Sequence, residues 1–258
     1  MFNRYFQLNQ IFIDPETRTV VAMTPKVMTK FIRSTLNDGY AKHQGRTHPS
    51  NGRYRFVALS RKFPLAPPGA YVDALLRPER YAAYGFARNP YARLHSAWRN
   101  KFDDFYRAIL EGARLDYPQS IRGGELPRLR RFAAAHELPG AKIGSRVPFA
   151  TFARYAVSQP DRARDRHWRG QAPMLQLDHF REMRLHRVED GVAAPLTEVF
   201  TRLGFAHDWI ERRLSRPRNV SSRGAENPYD EALAAIVHDG FEEDFRRLGY
   251  DRDSWRSL

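Results

Sequence analysis

The chain has 258 residues, and 42% of them are hydrophobic, which is enough to bury a sizeable core in one α/β domain. Its formal net charge of +14 predicts attraction to anions such as nucleotides, nucleic acids, acidic glycans and lipid surfaces, without choosing among them. Because the chain contains no cysteine, disulfide bonds and cysteine-ligated metal sites are excluded.

The first part of the chain predicts two strands and then an anion-binding corner. A short edge strand over 10–13 is turned by Asp14-Pro15, and residues 19–24 form a buried strand. A loop then leads to the first turns of a helix over 30–36. Backbone N–H groups at the start of a helix attract anions, and Lys26 lies beside them. We therefore predict a phosphate site at this corner.

The section over 37–68 is rich in Gly, Pro, His and Arg, and its one apolar segment, over 54–59, predicts a strand. Residues 39–52 are typical of a surface loop. His43 and His48 lie in this loop, and histidines of a polar loop face solvent more often than they take part in catalysis.

A second strand, turn and helix follow a short predicted helix over 71–80. The apolar run that begins at Tyr84 ends in Arg88, and in Asn89-Pro90 the asparagine caps a helix whose first position suits proline. That helix is predicted to end near Gly112. Its apolar stripe, with steps of three and four residues, consists of Tyr91, Leu94, Trp98, Phe102, Phe105 and Ile109.

Two polar residues of this second corner predict another phosphate site. Arg88 lies at the strand end, and Ser96 lies off the apolar stripe. Both can therefore face the crevice at the carboxyl edge of a parallel sheet, where open α/β folds bind ligands. A guanidinium fork together with a hydroxyl suits a phosphate group.

The rest of the chain predicts short helices and one more strand. The predicted helices cover 128–136, 148–157, 196–203, 207–214 and a last one that is capped by Asn227-Pro228 and stopped by Gly249. Between them lie a charged loop over 158–171, a strand over 185–188 with Glu189 as its exposed end, and a basic, polar linker over 216–224.

Five segments resemble those of a known family. Pro25-Lys26-Val27 after a strand resembles the 5′-phosphosulfate loop of the sulfotransferases that use 3′-phosphoadenosine 5′-phosphosulfate (PAPS). Residues 86–98 resemble their 3′-phosphate motif, with Arg88 and Ser96 eight positions apart. Three later segments resemble, in the same order, those of the carbohydrate sulfotransferases of the chondroitin and dermatan type: His167-Trp168-Arg169-Gly170-Gln171, Arg187-Val188-Glu189 and Asp244-Phe245-Arg246-Arg247-Leu248-Gly249-Tyr250.

The resemblance implies a fold and a cofactor. The implied fold is α/β, a P-loop-NTPase-like three-layer sulfotransferase fold with a central parallel sheet flanked by helices, in a single domain over 1–258. The implied sulfuryl donor is PAPS, the product is adenosine 3′,5′-bisphosphate, and no metal is required. The residues expected to bind the cofactor are Pro25, Lys26, Val27, Met28, Thr29, Lys30, Arg88 and Ser96.

The resemblance also implies in-line attack by an acceptor hydroxyl, in which positioning and electrostatics dominate. Lys26 is the residue that we expect to neutralise the charge growing on the leaving oxygen. A general base must come within hydrogen-bond reach of the hydroxyl proton. His167 is the first candidate and Glu189 the second, with His43 or His48 more remote, and the sequence does not rank them firmly.

The phosphate loop departs from the family pattern after its lysine. Met28 stands where a small residue is usual, and Lys30 stands where the last Ser or Thr is expected, so that only Thr29 keeps a hydroxyl. In the later segment Gly170 replaces a proline. A catalytically inactive protein that binds nucleotide or glycan therefore stays open as an alternative.

Two other classes of protein fit less well. A P-loop kinase needs the pattern Gly-x-x-x-x-Gly-Lys-Ser/Thr, which the sequence lacks. A nucleic-acid-binding protein would explain the charge, but the basic residues are spread along the chain without a recognised binding module. We therefore expect no nucleic acid partner.

The predicted acceptor is a carbohydrate, which can be acidic, and a lipid or small-metabolite hydroxyl is the alternative, since fold does not settle substrate. The sequence has no apolar run near the roughly 20 residues of a membrane span and no signal-peptide pattern. We expect a soluble, cytoplasmic protein of bacterial type. Peripheral membrane contact and the oligomeric state stay open.

Overall fold

The fold was analysed in a computed structural model, which describes residues 10–44, 68–111, 124–215 and 227–258. The predicted strand over 54–59, His48 and the linker over 216–224 lie outside the described residues.

The described residues form strands β1 Ile11–Asp14, β2 Thr19–Met23, β3 Ala82–Ala87 and β4 Arg184–Arg187. Their α-helices are α1 Thr29–Gln44, α2 Pro68–Leu76, α3 Pro90–Trp98, α4 Asp104–Leu110, α5 Leu126–Ala135, α6 Phe149–Ser158, α7 Gln171–Met174, α8 Ala193–Arg202, α9 His207–Leu214, α10 Glu231–Gly240 and α11 Glu242–Leu248. Among these helices none has both the length and the apolar character that crossing a membrane requires.

The chain divides into two compact units. Unit 1 consists of Met1–Arg88 and Gln171–Asn219, and unit 2 consists of Asn89–Gly170 and Val220–Leu258. The chain therefore leaves unit 1 after Arg88 and re-enters it at Gln171. The single domain expected from the sequence stays a prediction.

Unit 1 is built on a mixed sheet with the strand order β1-β2-β3-β4. As predicted for the sheet, β2, β3 and β4 are parallel, and in their register Met23 lies beside Phe86 and Ala87 beside Arg187. β1 runs antiparallel to β2, because the short turn after Asp14 joins the two strands as a hairpin. The carboxyl ends of the three parallel strands therefore lie at one edge of the sheet.

Helices α1 and α8 cover the sheet of unit 1 and bury a core with it. The buried residues include Phe12, Val21, Met23, Ile32, Leu36, Tyr84, Phe86, Leu196, Val199 and Phe200. α1 extends to Gln44, so the prediction of a loop from position 39 was wrong. Gly39 lies inside the helix where the Phe205 ring packs against it, and a Cβ there would overlap Phe205 Cε2. His43, in the last turn, stacks on the same ring with centroids 5.5 Å apart.

Unit 2 is helical in its described residues, and its core includes Tyr91, Leu94, Trp98, Phe149, Phe152, Trp168, Val237 and Phe245. The helix predicted from Pro90 is confirmed in its start, but a π turn over Arg99–Asp103 separates α3 from α4. This turn buries Asp103, whose carboxylate accepts from Arg146 at 2.6 Å and from Arg107 at 3.1 Å. The two guanidinium groups thus compensate the buried charge.

The last predicted helix is two helices, α10 and α11, which meet at Phe241. Asp230 rather than Asn227 caps α10, because Asp230 Oδ1 accepts the Leu233 N–H at 2.7 Å. The Asn227 amide instead donates to the Trp255 carbonyl at 2.8 Å. The predicted stop at Gly249 is confirmed, and this residue has a φ of 70°.

The other predicted elements are found within a few residues of their expected bounds. The helix predicted over 71–80 is α2 followed by a 3₁₀ turn, Pro78–Arg80. The strand predicted over 185–188 is β4, which begins and ends one residue earlier.

Candidate active site

The loop between β2 and α1 contains two residues with left-handed backbone. The φ angle is 74° at Lys26 and 50° at Met28. Between them the Val27 N–H donates to the Thr24 carbonyl at 3.3 Å, and the Val27 side chain is buried in the core. Turns that combine left- and right-handed residues aim successive N–H groups into one concavity, a nest that binds anions.

The amides that follow are the first N–H groups of α1. The N–H groups of Met28, Thr29 and Lys30 donate to no acceptor within the described residues, whereas Phe31 and Ile32 both donate to the Met28 carbonyl. The Thr29 hydroxyl donates to the Thr24 carbonyl at 2.5 Å, so its proton serves the loop itself. Three such amides at the start of a 16-residue helix are groups of the kind that bind anions.

Arg88 follows β3 at the same edge of the sheet. Its guanidinium Nη1 donates to the carbonyl oxygen of Lys26 at 3.3 Å. Unit 1 therefore brings together the two cationic residues that the sequence predicts at the phosphate-binding corners, although they are far apart in the chain.

Gln171, the first residue of α7, binds both backbone groups of Arg88. Its Nε2 donates to the Arg88 carbonyl at 2.7 Å, and its Oε1 accepts the Arg88 N–H at 3.0 Å. The Thr24 hydroxyl lies 3.5 Å from the same Oε1. The Gln171 side chain has no exposed surface.

β4 brings Glu189 to this edge as well. Arg187 pairs with Ala87, the residue before Arg88, and Glu189 lies in a 3₁₀ turn directly after the strand. Its side chain is exposed. Lys26, Arg88 and Glu189 thus follow three neighbouring parallel strands.

In unit 2 the start of α3 satisfies its own amides. Asn89 Oδ1 accepts the N–H of Tyr91 at 2.9 Å and that of Ala92 at 3.4 Å, and Pro90 has no N–H. Ser96 lies later in α3, half-buried, and its hydroxyl forms no hydrogen bond with the described residues. A phosphate at this corner would therefore be bound by side chains rather than by the helix amides.

Asp165 and His167 form a close pair in the charged loop of unit 2. Asp165 Oδ1 lies 2.5 Å from His167 Nδ1 and accepts the His167 backbone N–H at 2.9 Å. Burial raises the pKa of Asp165, but the hydrogen bonds and charge of His167, with the charge of Lys101, lower it below its ordinary value overall. Because a carboxylate only accepts, Nδ1 carries a proton, and Nε2 is the ring atom that can accept one in the neutral imidazole.

A buried arginine anchors the segment that carries His167. Arg93 is only 2% exposed, and its guanidinium donates to the Arg169 carbonyl at 2.7 Å and to the Arg166 carbonyl at 3.2 Å. The Gly170 N–H donates to Asp161 Oδ1 at 2.7 Å. A proline at this position has no N–H and could not form that bond, which gives the departure from the family pattern a structural reason.

Comparison with known proteins assigns the chain. Its sequence matches the family model described as the sulfotransferase family over residues 9–251. The chain belongs to the sulfotransferase family. No curated protein and no solved structure matches it in the corresponding searches. The family match includes residues of both units, and sulfuryl transfer is the general chemistry that it supports.

The predicted site residues of this sulfotransferase are divided between its units. Lys26, Arg88 and Glu189 belong to unit 1, and Ser96 and His167 belong to unit 2. Within unit 1 the structure joins Lys26 to Arg88 by a hydrogen bond and places Glu189 at the same edge of the sheet.

Two residues of the sulfotransferase had no predicted role. Gln171 and Arg93 both stand inside segments that carry the family resemblance, and this was the one signal for them in the sequence. Their partners lie far away in the chain, since Gln171 and Arg88 are 83 positions apart and Arg93 and Arg169 are 76 apart.

Proposed function

We propose that this protein transfers a sulfuryl group from PAPS to a hydroxyl of a carbohydrate acceptor by in-line displacement. The observation that carries the proposal is the group of three amides that begin α1 and donate to no described residue, after a loop with left-handed backbone at Lys26 and Met28. Such a constellation binds a phosphate-like group, and in a sulfotransferase that group is the phosphosulfate of the donor. The relation to P-loop folds is part of the same proposal.

The chain supplies the groups that would hold the donor. The backbone over residues 25–30 would bind the 5′-phosphosulfate, and PAPS, when bound, supplies the sulfuryl group. The Lys26 ammonium would stabilise negative charge at the bridging oxygen. Arg88 and Ser96 would bind the 3′-phosphate, which distinguishes PAPS from ATP-like nucleotides.

We propose His167 as the general base and Glu189 as the second candidate. The ionised Asp165 orients the imidazole and stabilises it once it is protonated, as a carboxylate does for a catalytic histidine. The side chains of this pair are only 16% and 20% exposed, whereas Glu189 is exposed to solvent at the end of its strand. We therefore propose His167 before Glu189 as the base.

The carbohydrate acceptor is proposed from the segments that resemble carbohydrate sulfotransferases, and the charge of +14 suits an acidic glycan. A lipid or small-metabolite hydroxyl is the alternative acceptor, with the same cofactor and the same base. A cytoplasmic location is part of the same proposal.

A second candidate function is nucleotide or glycan binding without transfer. It is favoured by the loop itself, because the Thr29 hydroxyl donates to the Thr24 carbonyl and Met28 holds a left-handed backbone where a small residue is usual. The Thr29 bond takes the proton of the loop's one hydroxyl away from an anion, so fewer side-chain donors remain than in the family pattern.

The test is thermal unfolding with adenosine 3′,5′-bisphosphate, beside ATP and ADP. A ligand at about 100 times its dissociation constant stabilises a fold by about 2.7 kcal/mol. We expect the 3′,5′-bisphosphate alone to give this effect, and equal stabilisation by ATP would overturn the assigned cofactor. Transfer of labelled sulfate from PAPS to a set of glycans then separates the enzyme from the inactive binder.

A further inference from the structure

We propose that Gln171 is a positioning residue, whose buried amide fixes the backbone of Arg88 and, through it, the phosphate loop. This inference rests on the proposed function, because the groups that Gln171 positions are those assigned to the donor nucleotide.

The amide of Gln171 forms two hydrogen bonds of opposite polarity with a single residue. Nε2 donates to the Arg88 carbonyl at 2.7 Å, and Oε1 accepts the Arg88 N–H at 3.0 Å. An asparagine or glutamine side chain offers a donor and an acceptor in one plane without a charge at any pH, whereas a carboxyl group does so only when it is protonated. The pair therefore fixes two successive peptide planes at the point where β3 ends.

Burial makes these bonds hard to replace. Gln171 has no exposed surface, so water cannot take over the Arg88 N–H or carbonyl if the amide is lost. An unpaired buried backbone group costs more free energy than an ordinary hydrogen bond contributes. The end of β3 would then shift until its groups found other partners.

The same contacts reach the phosphate loop. Arg88 Nη1 donates to the carbonyl of Lys26, and Lys26 has a φ of 74°. At the start of the loop, the hydroxyl of Thr24 lies 3.5 Å from Gln171 Oε1. Gln171 is thus connected to the loop at its beginning and, through Arg88, at its lysine. It is also the residue at which the chain re-enters unit 1, whereas Arg88 is the last residue before the chain leaves it.

Gln176 is a matched control in the same unit. It is also buried, at 3% exposure, but its Nε2 donates to the nearby Pro173 carbonyl at 2.9 Å. A change at Gln176 therefore removes a buried glutamine without removing a bond to Arg88.

The test compares the dissociation constant of adenosine 3′,5′-bisphosphate in four proteins: wild type, Gln171→Met, Gln171→Glu and Gln176→Glu. Calorimetry at about pH 8 and about pH 5.5 gives the affinity, and circular dichroism at each pH reports folding. In the Gln171→Glu variant the ionised carboxylate accepts the Arg88 N–H but cannot donate to the Arg88 carbonyl. Once protonated, at a pKa raised by burial, the new carboxyl group can make both bonds.

We expect both Gln171 variants to bind the bisphosphate about tenfold or more weakly at about pH 8. At the lower pH, Gln171→Glu should recover to within about threefold of wild type, while Gln171→Met should not. Gln176→Glu should bind like wild type at both pH values.

Four results would overturn the inference. The first is a Gln171→Met protein that binds the bisphosphate with wild-type affinity. A defect seen in Gln171→Glu alone would then come from the new charge and not from the lost hydrogen bonds. The second is no recovery of Gln171→Glu at low pH, and the third is a Gln171→Glu protein that does not fold, which would make Gln171 a determinant of the whole unit. The fourth is a wild type that does not bind the bisphosphate, which would overturn the proposed function together with the inference.

Discussion

The two strand–turn–helix corners of this sulfotransferase differ in how their helices begin. At the β2–α1 corner the N–H groups of Met28, Thr29 and Lys30 donate to no described residue, so the backbone has donors to offer to an anion. At the β3–α3 corner the Asn89 side chain accepts the first two amides of the helix, and Pro90 has none. An anion at the second corner would depend on side chains, for which we propose Arg88 and Ser96, and mutations should affect the two corners differently.

The largest effect is expected from removing the positive charge at each corner. Lys26→Ala and Arg88→Ala should each lower sulfuryl transfer by about 10²-fold or more, because each removes a cation from the developing or bound negative charge. Arg88→Ala should also weaken binding of adenosine 3′,5′-bisphosphate, whereas Lys26→Ala should leave much of it, since the backbone amides remain. Transfer assays and calorimetry measure the two quantities.

Lys42→Ala is the control for these variants. Lys42 is exposed in the last turn of α1, about 20 Å along the helix from its start, at about 1.5 Å per residue. It should keep wild-type transfer. Full activity in both Lys26→Ala and Arg88→Ala would remove the assignment of both corners.

The second effect concerns the general base. His167→Asn should lower kcat by about 10²-fold with little change in KM, because the base acts on the chemical step. Asp165→Asn should lower kcat as well, since an amide can donate to Nδ1 and so favour the wrong tautomer. Glu189→Gln should have a small effect. A loss of kcat in Glu189→Gln, with an active His167→Asn, would reverse the order of the two candidates.

The third prediction concerns the start of α3, where the Asn89 side chain accepts the first amides of the helix. Asn89→Ala leaves the amides of Tyr91 and Ala92 without their acceptor and should lower the unfolding free energy by about 1 kcal/mol. Asn89→Gly should lower it by only about 0.3 kcal/mol. Denaturant unfolding of Asp230→Ala, which removes the comparable cap of α10, provides the benchmark. Equal stability of Asn89→Ala and wild type would show that the second corner does not depend on this cap.

The sequence predicted those parts of the fold that short-range chemistry decides. The start at Asn89-Pro90 and the stop at Gly249 follow from a side-chain cap and a left-handed glycine that act within one helical turn. The parallel order of β2, β3 and β4 was also expected, because a helix follows each of the first two strands.

The parts that were wrong depend on distant contacts. The polar residues after position 38 form helix because Tyr40 and His43 pack against Phe205, with ring centroids 5.4 and 5.5 Å apart. The apolar stripe of the last helix continues through Phe241 and so gave no sign of the break there. For the same reason the sequence named Lys26 and Arg88 at the site but not Gln171, whose bonds to Arg88 exist only in the folded chain.

The smallest expected effect concerns a histidine on β4, in the sheet that carries the first corner. His186 packs near two aromatic rings, with centroids 6.5 Å from Tyr84 and 5.7 Å from Phe86, and its Nε2 is buried without a partner among the described residues. Burial lowers its pKa, the Glu198 carboxylate opposes this, and the Arg184 guanidinium adds to the lowering.

A lowered pKa means that the unfolded chain binds the His186 proton more tightly than the folded protein does. Stability is therefore complete above the ordinary value of 6.5 and falls as the pH drops from there towards the folded pKa. His186→Phe keeps an aromatic ring and cannot titrate, so its melting temperature should fall less than that of wild type over this range. His207→Gln, at an exposed position on α9, should follow wild type. Parallel plots of melting temperature against pH for wild type and His186→Phe would mean that the acid sensitivity of unit 1 arises elsewhere. A steeper plot for His186→Phe would mean that Glu198 stabilises the imidazolium more than burial disfavours it.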